Sequence, residues 1–329
     1  MKRTSKQPLF YSLTALTVLT SGLAYAEVEV TAPNLEGGVT ASLGALYLVP
    51  SADGQDYAAT FHGSEDDEIT RFDGNFVEVN PGYDFGFEAS LGYLFDNTAN
   101  GIELYYRGIN TNDSDSISRG LDAPENEGIF VPLFNGSTVD AASSDLSYEL
   151  NAADLMINQF MDIGNAVQMR FSVGASYLNL EKEQTGHFVG FDGAQQWEIY
   201  AEELVHGSQS QFSGFGPRFA ADARYELGEG FGLLGGASFA YYIGDMDVSD
   251  TFVATFDDDY MSKSSDTYTD IVQDNINNHS VTNLRGNIGI DYVYFFEEDE
   301  DFHAFGIELG YLVDYYADAL QQLNYSSNG

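Results

Sequence analysis

Cysteine is absent from all 329 residues, so neither a disulfide framework nor a thiolate metal site is available. Basic residues are scarce. Twelve Lys and Arg stand against 52 Asp and Glu, a formal net charge of −40, which makes nucleic acid and anionic headgroups poor partners and cations good ones. After the first two dozen residues no unbroken apolar run reaches the roughly 18 positions that a spanning helix needs, and no Gly-x-Ser-x-Gly nucleophile motif occurs. Disorder, the usual outcome of such acidity, is opposed by a hydrophobic share of 43%.

What is present is alternation. Val167, Met169, Phe171, Val173, Ala175 and Tyr177 share one parity, while Gln168, Arg170, Ser172, Gly174 and Ser176 share the other. A strict period of two means a sheet with a different environment on each face. Here the continuous apolar set predicts lipid outside, and the polar set predicts water or ion pairs inside. The 34 glycines and 14% aromatic share suit strands and interfacial girdles.

The N-terminus carries Met1, Lys2, Arg3 and Lys6, then the apolar Leu9 to Leu19, then Ala24-Tyr25-Ala26. That is the pattern of a secretory signal peptide over 1–26, cleaved after Ala26. Without it the chain keeps 9 basic residues against 52 acidic ones. An exported membrane protein without apolar helices has only the closed barrel open to it, because lipid leaves backbone groups no water to bond. The expected fold class is therefore all-β, an antiparallel transmembrane β-barrel of the bacterial outer membrane. A short periplasmic segment at 27–37 precedes the barrel at 38–329.

Nine strands are predicted, at 38–49, 84–95, 101–109, 147–159, 166–180, 213–227, 231–244, 282–296 and 304–316. Long extracellular loops are expected at 50–83, 110–146, 181–212 and 245–281, with short periplasmic turns between them. In the fourth strand the apolar set changes parity between Ala152 and Ala153, which predicts a bulge. The inward parity collects Glu88, Glu103, Arg107, Arg170, Arg218, Asp222, Arg224, Glu226, Arg285, Asp291, Glu308 and Asp314. A charge facing hydrocarbon at mid-depth costs roughly 2 to 4 kcal/mol. The arginines therefore belong inside, paired with these carboxylates.

The run Phe212-Ser213-Gly214-Phe215-Gly216-Pro217-Arg218, continued by Asp222, Tyr225-Glu226-Leu227 and Gly230 to Gly244, resembles the pore-forming major outer-membrane protein family described from Legionella and its relatives. Ala45 to Ser51 and Leu284 to Tyr294 carry the same resemblance. It implies a porin-like outer-membrane barrel. Family members continue into a closing strand, whereas this chain stops at a polar tail, Asn324 to Gly329. The expectation is thus about ten strands in the complete protein, nine of them here, with the closing strand lacking.

Other groups have plainer readings. His62, His187, His206 and His279 are placed in loops and His303 beside a turn, and an enzyme is not expected. The acidic runs Glu65 to Glu68, Asp113 to Asp115, Asp257 to Asp259 and Glu297 to Asp301 read as solvated charge, or as holders of calcium or magnesium bridged to lipopolysaccharide, although none has calcium-loop spacing. Tyr105, Tyr106, Tyr241, Tyr242, Tyr292, Tyr294, Tyr311, Tyr315 and Tyr316 read as girdle residues. Trp197 lies in a segment that suits a hairpin, a plug or an adhesive tip.

The function expected is passive diffusion of small hydrophilic solutes or ions, with a preference for cations and no cofactor. The competing expectation is a non-conducting surface anchor or adhesin with a side-chain-filled lumen. Outer-membrane lipid and lipopolysaccharide are the expected partners. A homo-oligomer is left open, and no host-surface receptor is identifiable.

Overall fold

The computed structural model describes residues 9–10, 30–33, 35, 37–62, 75–120, 127–131, 138–190, 201–256, 267–298 and 301–321. All regular structure is β. In chain order the strands are β1 (Leu9–Phe10), β2 (Val30–Thr31), β3 (Gly38–Leu48), β4 (Asp56–His62), β5 (Phe76–Glu78), β6 (Asp84–Leu94), β7 (Asn100–Ser118), β8 (Glu127–Phe130), β9 (Thr138–Val139), β10 (Ala141–Ile163), β11 (Val167–Val189), β12 (Ala201–Gly228), β13 (Phe231–Phe256), β14 (Thr267–Glu298) and β15 (Asp301–Ala317).

Nine of these form one antiparallel meander in the order β15-β14-β13-β12-β11-β10-β7-β6-β3, and β5-β4-β8-β9 form a separate small sheet. The meander strands are the nine predicted ones. The loops at 110–146, 181–212 and 245–281 are corrected, because the ladders run on through much of them: β7 continues to Ser118, β11 to Val189 and β13 to Phe256. The Trp197 segment and the acidic runs at 65–68 and 257–259 lie outside the described residues.

The sheet curls so far that strands six places apart in this order touch. Arg107 on β7 pairs with Asp314 on β15, and Arg285 on β14 lies 3.3 Å from Glu88 on β6. The face carrying these side chains is therefore concave. Among the described residues β3 and β15 do not pair, so the sheet is curled but not closed into a barrel. Two positions of the β15 edge are met by β1, through Leu9 opposite Tyr315 and Phe10 opposite Asp314.

The convex face carries the apolar band. Leu43, Phe85 and Leu309 are 84%, 74% and 73% exposed, and Phe171, Phe215, Phe219, Ile288 and Ile290 are exposed beside them. A continuous belt of this kind is far larger than the scattered apolar exposure of a water-soluble surface. Aromatic pairs edge it, including Tyr177 with Phe215 (4.8 Å), Tyr47 with Phe85 (4.9 Å) and Phe231 with Tyr292 (4.8 Å).

The predicted bulge at Ala152 and Ala153 is absent: β10 stays in continuous register with β11 from Ala141 opposite Val189 to Ile163 opposite Val167. Parity never changes. What changes is the surroundings, since Leu155 and Ile157 belong to the exposed convex belt while Leu146, Tyr148, Leu150 and Ala152 fill the concave side higher up. Apolar residues of both parities therefore occur on one regular strand. In the large sheet the register shifts lie elsewhere, between Ala201 and Glu203, between Glu226 and Gly228 and between Gly244 and Met246.

The tight connections lie at one end. Gly228, Glu229 and Gly230 turn β12 into β13 with φ of 101°, 54° and 86°, a left-handed run in which glycine carries no steric penalty. At the opposite end the small sheet sits inside the curl. Tyr57, Ala58, Ile129, Val131 and Val139 pack with Leu146, Tyr148, Phe188, Leu204 and Ala254 of the large sheet.

Candidate functional site

The concave face is layered along the strands. Nearest the tight turns lies a charged layer that solvent reaches. Arg170 is held 3.1 Å from Glu103 and 3.0 Å from Asp222. Arg224 donates to Asp291 at 2.7 Å and to the Gly230 carbonyl at 3.1 Å. Arg285 donates to the Tyr105 hydroxyl at 2.9 Å and to Glu88, and the Tyr105 hydroxyl in turn donates to Glu88. Such guanidinium–carboxylate bonds are charge-assisted and fix the side chains in direction. Exposure confirms that water enters, with Arg170 at 37%, Asp222 at 32% and Arg224 at 26%.

Above it the charges are withdrawn from water. Arg107 bonds Asp314 and the Tyr316 hydroxyl (2.6 Å), and Asp314 also accepts from Asn283 at 2.6 Å. Asn283 accepts from Arg218 at 3.4 Å, Arg218 lies 3.3 Å from Asp154, and Ser176 links Asp154 to Tyr242. One connected network thus joins β7, β10, β11, β12, β13, β14 and β15 with two arginines and two aspartates. Arg107, Asp154, Arg218 and Asp314 are 1%, 3%, 4% and 5% exposed. A buried set of equal opposite charges persists because removing any one member strands another.

Over the network lies an apolar layer, with Leu150, Leu178, Leu180, Phe212, Met246, Val248 and Val281 all buried. Ala319 and Leu320, just past β15, fold inward onto it. The small sheet is fastened above. Lys182, 5% exposed, donates to the carbonyls of Gly54 (2.7 Å) and Asp53 (3.2 Å), Gln184 donates to the Gln55 carbonyl (3.2 Å), and Gln55 donates to the Tyr148 hydroxyl (2.9 Å). Burial pushes the Lys182 ammonium down to about 8 from its ordinary 10.5, against the opposing pull of Asp53 and Asp56. Burial likewise lowers His206, which lies 3.8 Å from Asp250 and stacks on Phe252.

Most of the charges expected on the inner face are drawn into ion pairs with one another. All five arginines have carboxylate partners, and four of those partners, Glu88, Glu103, Asp222 and Asp291, serve the open layer. Glu226 and Glu308 share the face without a salt bridge among the described residues. Asp154 and Lys182 were not foreseen. Asp154 was hidden by the supposed bulge, since unbroken parity through Ala152, Asp154, Met156 and Asn158 places it inside.

Two further expectations are corrected. His187, His206 and His279 stand on β11, β12 and β14 rather than in loops. Tyr105, Tyr242 and Tyr316 belong to the interior, the last two wholly buried, rather than to a girdle. Asp113 accepts from the Gly82 N–H and Asp115 from the Tyr57 hydroxyl, with Asp115 exposed. Among the described residues no group of three or more His, Asp or Glu side chains is placed to hold a metal ion.

A curled antiparallel meander, apolar on its convex face and charged within, defines a porin-like outer-membrane protein. The chain belongs to the family described as the Legionella pneumophila major outer membrane protein precursor, which matches residues 31–329. No curated protein matches it. Its place is accordingly the outer membrane, its surroundings those of outer-membrane lipid and lipopolysaccharide, and its role a non-enzymatic one.

Proposed function

We propose that the protein provides a passive path for small hydrophilic solutes and ions, that cations enter it preferentially, and that the arrangement described is its closed state. On this reading the apolar belt meets lipid, residues 1–26 are a cleaved signal peptide, the tight turns face the periplasm and the long strand extensions rise outside the cell. The twelve inward charges then line a lumen. The observation that carries the proposal is the layering: an open charged vestibule ends at a buried, neutral network.

The vestibule holds Glu88, Glu103, Asp222, Glu226, Asp291 and Glu308 against Arg170, Arg224 and Arg285. Its excess of carboxylate favours cations, and fixed charge at close quarters is what sorts ions in a narrow passage. The two arginines and two aspartates of the network above cancel and add no bias.

A second reading has its own support. The sealed network and the docked small sheet also suit a non-conducting barrel that displays its outer end. Planar-bilayer recording in asymmetric salt separates the two. The channel reading expects rare openings of the native chain, and frequent ones with a cation-directed reversal potential in Asp154→Ala/Arg218→Ala. Silence of both forms leaves the second reading standing, and an anion-directed reversal overturns the cation preference.

A further inference from the structure

We infer that β14 is a docking edge for a basic peptide in extended conformation. β14 pairs with β15 only from Thr282 opposite Ala317 onward, yet it pairs with β13 up to Thr267 opposite Thr255. Residues 267–281 therefore form a strand hydrogen-bonded on one side, roughly 50 Å long at about 3.3 Å per residue.

The chain leaves this edge at a defined point. Asp318 adopts φ of 59°, its carbonyl meets His279 Nε2 at 2.6 Å, and Ala319 and Leu320 turn into the interior instead of continuing alongside β14. Among the described residues none covers what they leave. Tyr268 and Ile271, on opposite faces, are 60% and 57% exposed, and Asp270, Gln273, Asp274 and Asn275 are exposed with them. A long edge with free backbone donors and acceptors is a template for another strand.

Charge selects the occupant. Between Arg224 and Arg285 the sequence holds one basic residue, Lys263, against eleven acidic ones. A second copy of this edge would set Asp270 and Asp274 against their own kind, which is unfavourable for directly opposed side chains. A peptide that alternates Lys with a β-branched residue satisfies both faces: its lysines meet Asp270 and Asp274, and its apolar positions meet Thr269 and Ile271. Main-chain bonds supply affinity and the alternation supplies selectivity.

The test uses the full chain in lipid nanodiscs at physiological salt and a fluorescent acetyl-(Lys-Val)5-amide peptide. A second peptide of the same sequence carries N-methyl groups at every other residue on one edge, which keeps its charge and removes its ladder donors. Binding of the first and loss of binding of the second is expected, with Asp270→Asn/Asp274→Asn weakening the first about tenfold. Equal binding of both peptides would show a merely electrostatic surface and overturn the inference, as would failure of the unmodified peptide to bind. Neither result bears on conductance.

Discussion

Arg107 on β7 and Asp314 on β15 are 207 positions apart in sequence and bonded across the interior, with side-chain exposures of 1% and 6%. Their contact joins strands six places apart in the sheet, and Tyr316 and Asn283 complete its hydrogen bonding. The two ends of the open meander are thereby held face to face without a backbone ladder between them.

Replacing Arg107 by Ala leaves Asp314 buried with no cation. A cost of about 3 to 5 kcal/mol is expected, read as a lowered urea midpoint of the β circular-dichroism signal in lipid. Arg107→Met/Asp314→Leu removes both charges and should recover most of the loss. If the double variant is as unstable as the single one, the pair is not what holds this layer.

In the open layer the balance differs. Asp222→Asn leaves Arg170 with Glu103 alone, but Arg170 is 37% exposed, so water screens the change and stability should fall by less than about 1 kcal/mol. The vestibule nevertheless loses one negative charge. Reversal potentials of the opened Asp154→Ala/Arg218→Ala background should move toward anions when Asp222→Asn is added, and an unchanged potential would remove Asp222 from the ion path.

At Gly216 on β12 an added Cβ would run into the Tyr241 carbonyl oxygen of β13. Beside it Pro217 has no N–H for the ladder. Gly216→Ala should therefore destabilise the sheet by roughly 1 to 3 kcal/mol. Gly38, with open space around its Cβ position, should accept alanine with little change in the same urea titration.

Lys182 links the small sheet to pH. Its ammonium titrates at about 8 when buried and at 10.5 when free, so the docked form binds fewer protons between those values. Docking should consequently strengthen as pH rises from about 8 to 10.5 and show no dependence on this group below that window. Limited proteolysis within residues 50–60 should slow over that interval, and Lys182→Met should abolish the trend. Faster cleavage at the alkaline end would contradict the linkage.

How much of this was legible depended on which solvents the two faces met. Through the belt one face is apolar and exposed and the other carries charge, so Phe171 against Arg170 and Phe219 against Arg218 show their contrast directly. Beyond the belt both sides become mixed. On β11, Glu181 and Glu183 face out while Lys182 and Gln184 face a docked sheet, and that pattern reads as loop. The same switch produced the false bulge at Ala152 and Ala153, because Leu150 is apolar for packing against the interior and Leu155 for its place in the belt. Tyr105 and Tyr316 were misplaced because a tyrosine near a strand end can satisfy its hydroxyl at an interface or, as here, on a buried arginine.

The reach of the strands past the belt has a consequence for what the outside world touches. On β12 the belt ends near Phe215, yet the strand continues to Ala201, and with a tilt near 40° that carries the wall about 35 Å beyond the belt. In the proposed orientation the hydrogen-bonded rim would stand clear of the lipid headgroups, like a chimney through a canopy of surface sugars. Large visitors would meet its stiff flank first, well before they could come near the bilayer.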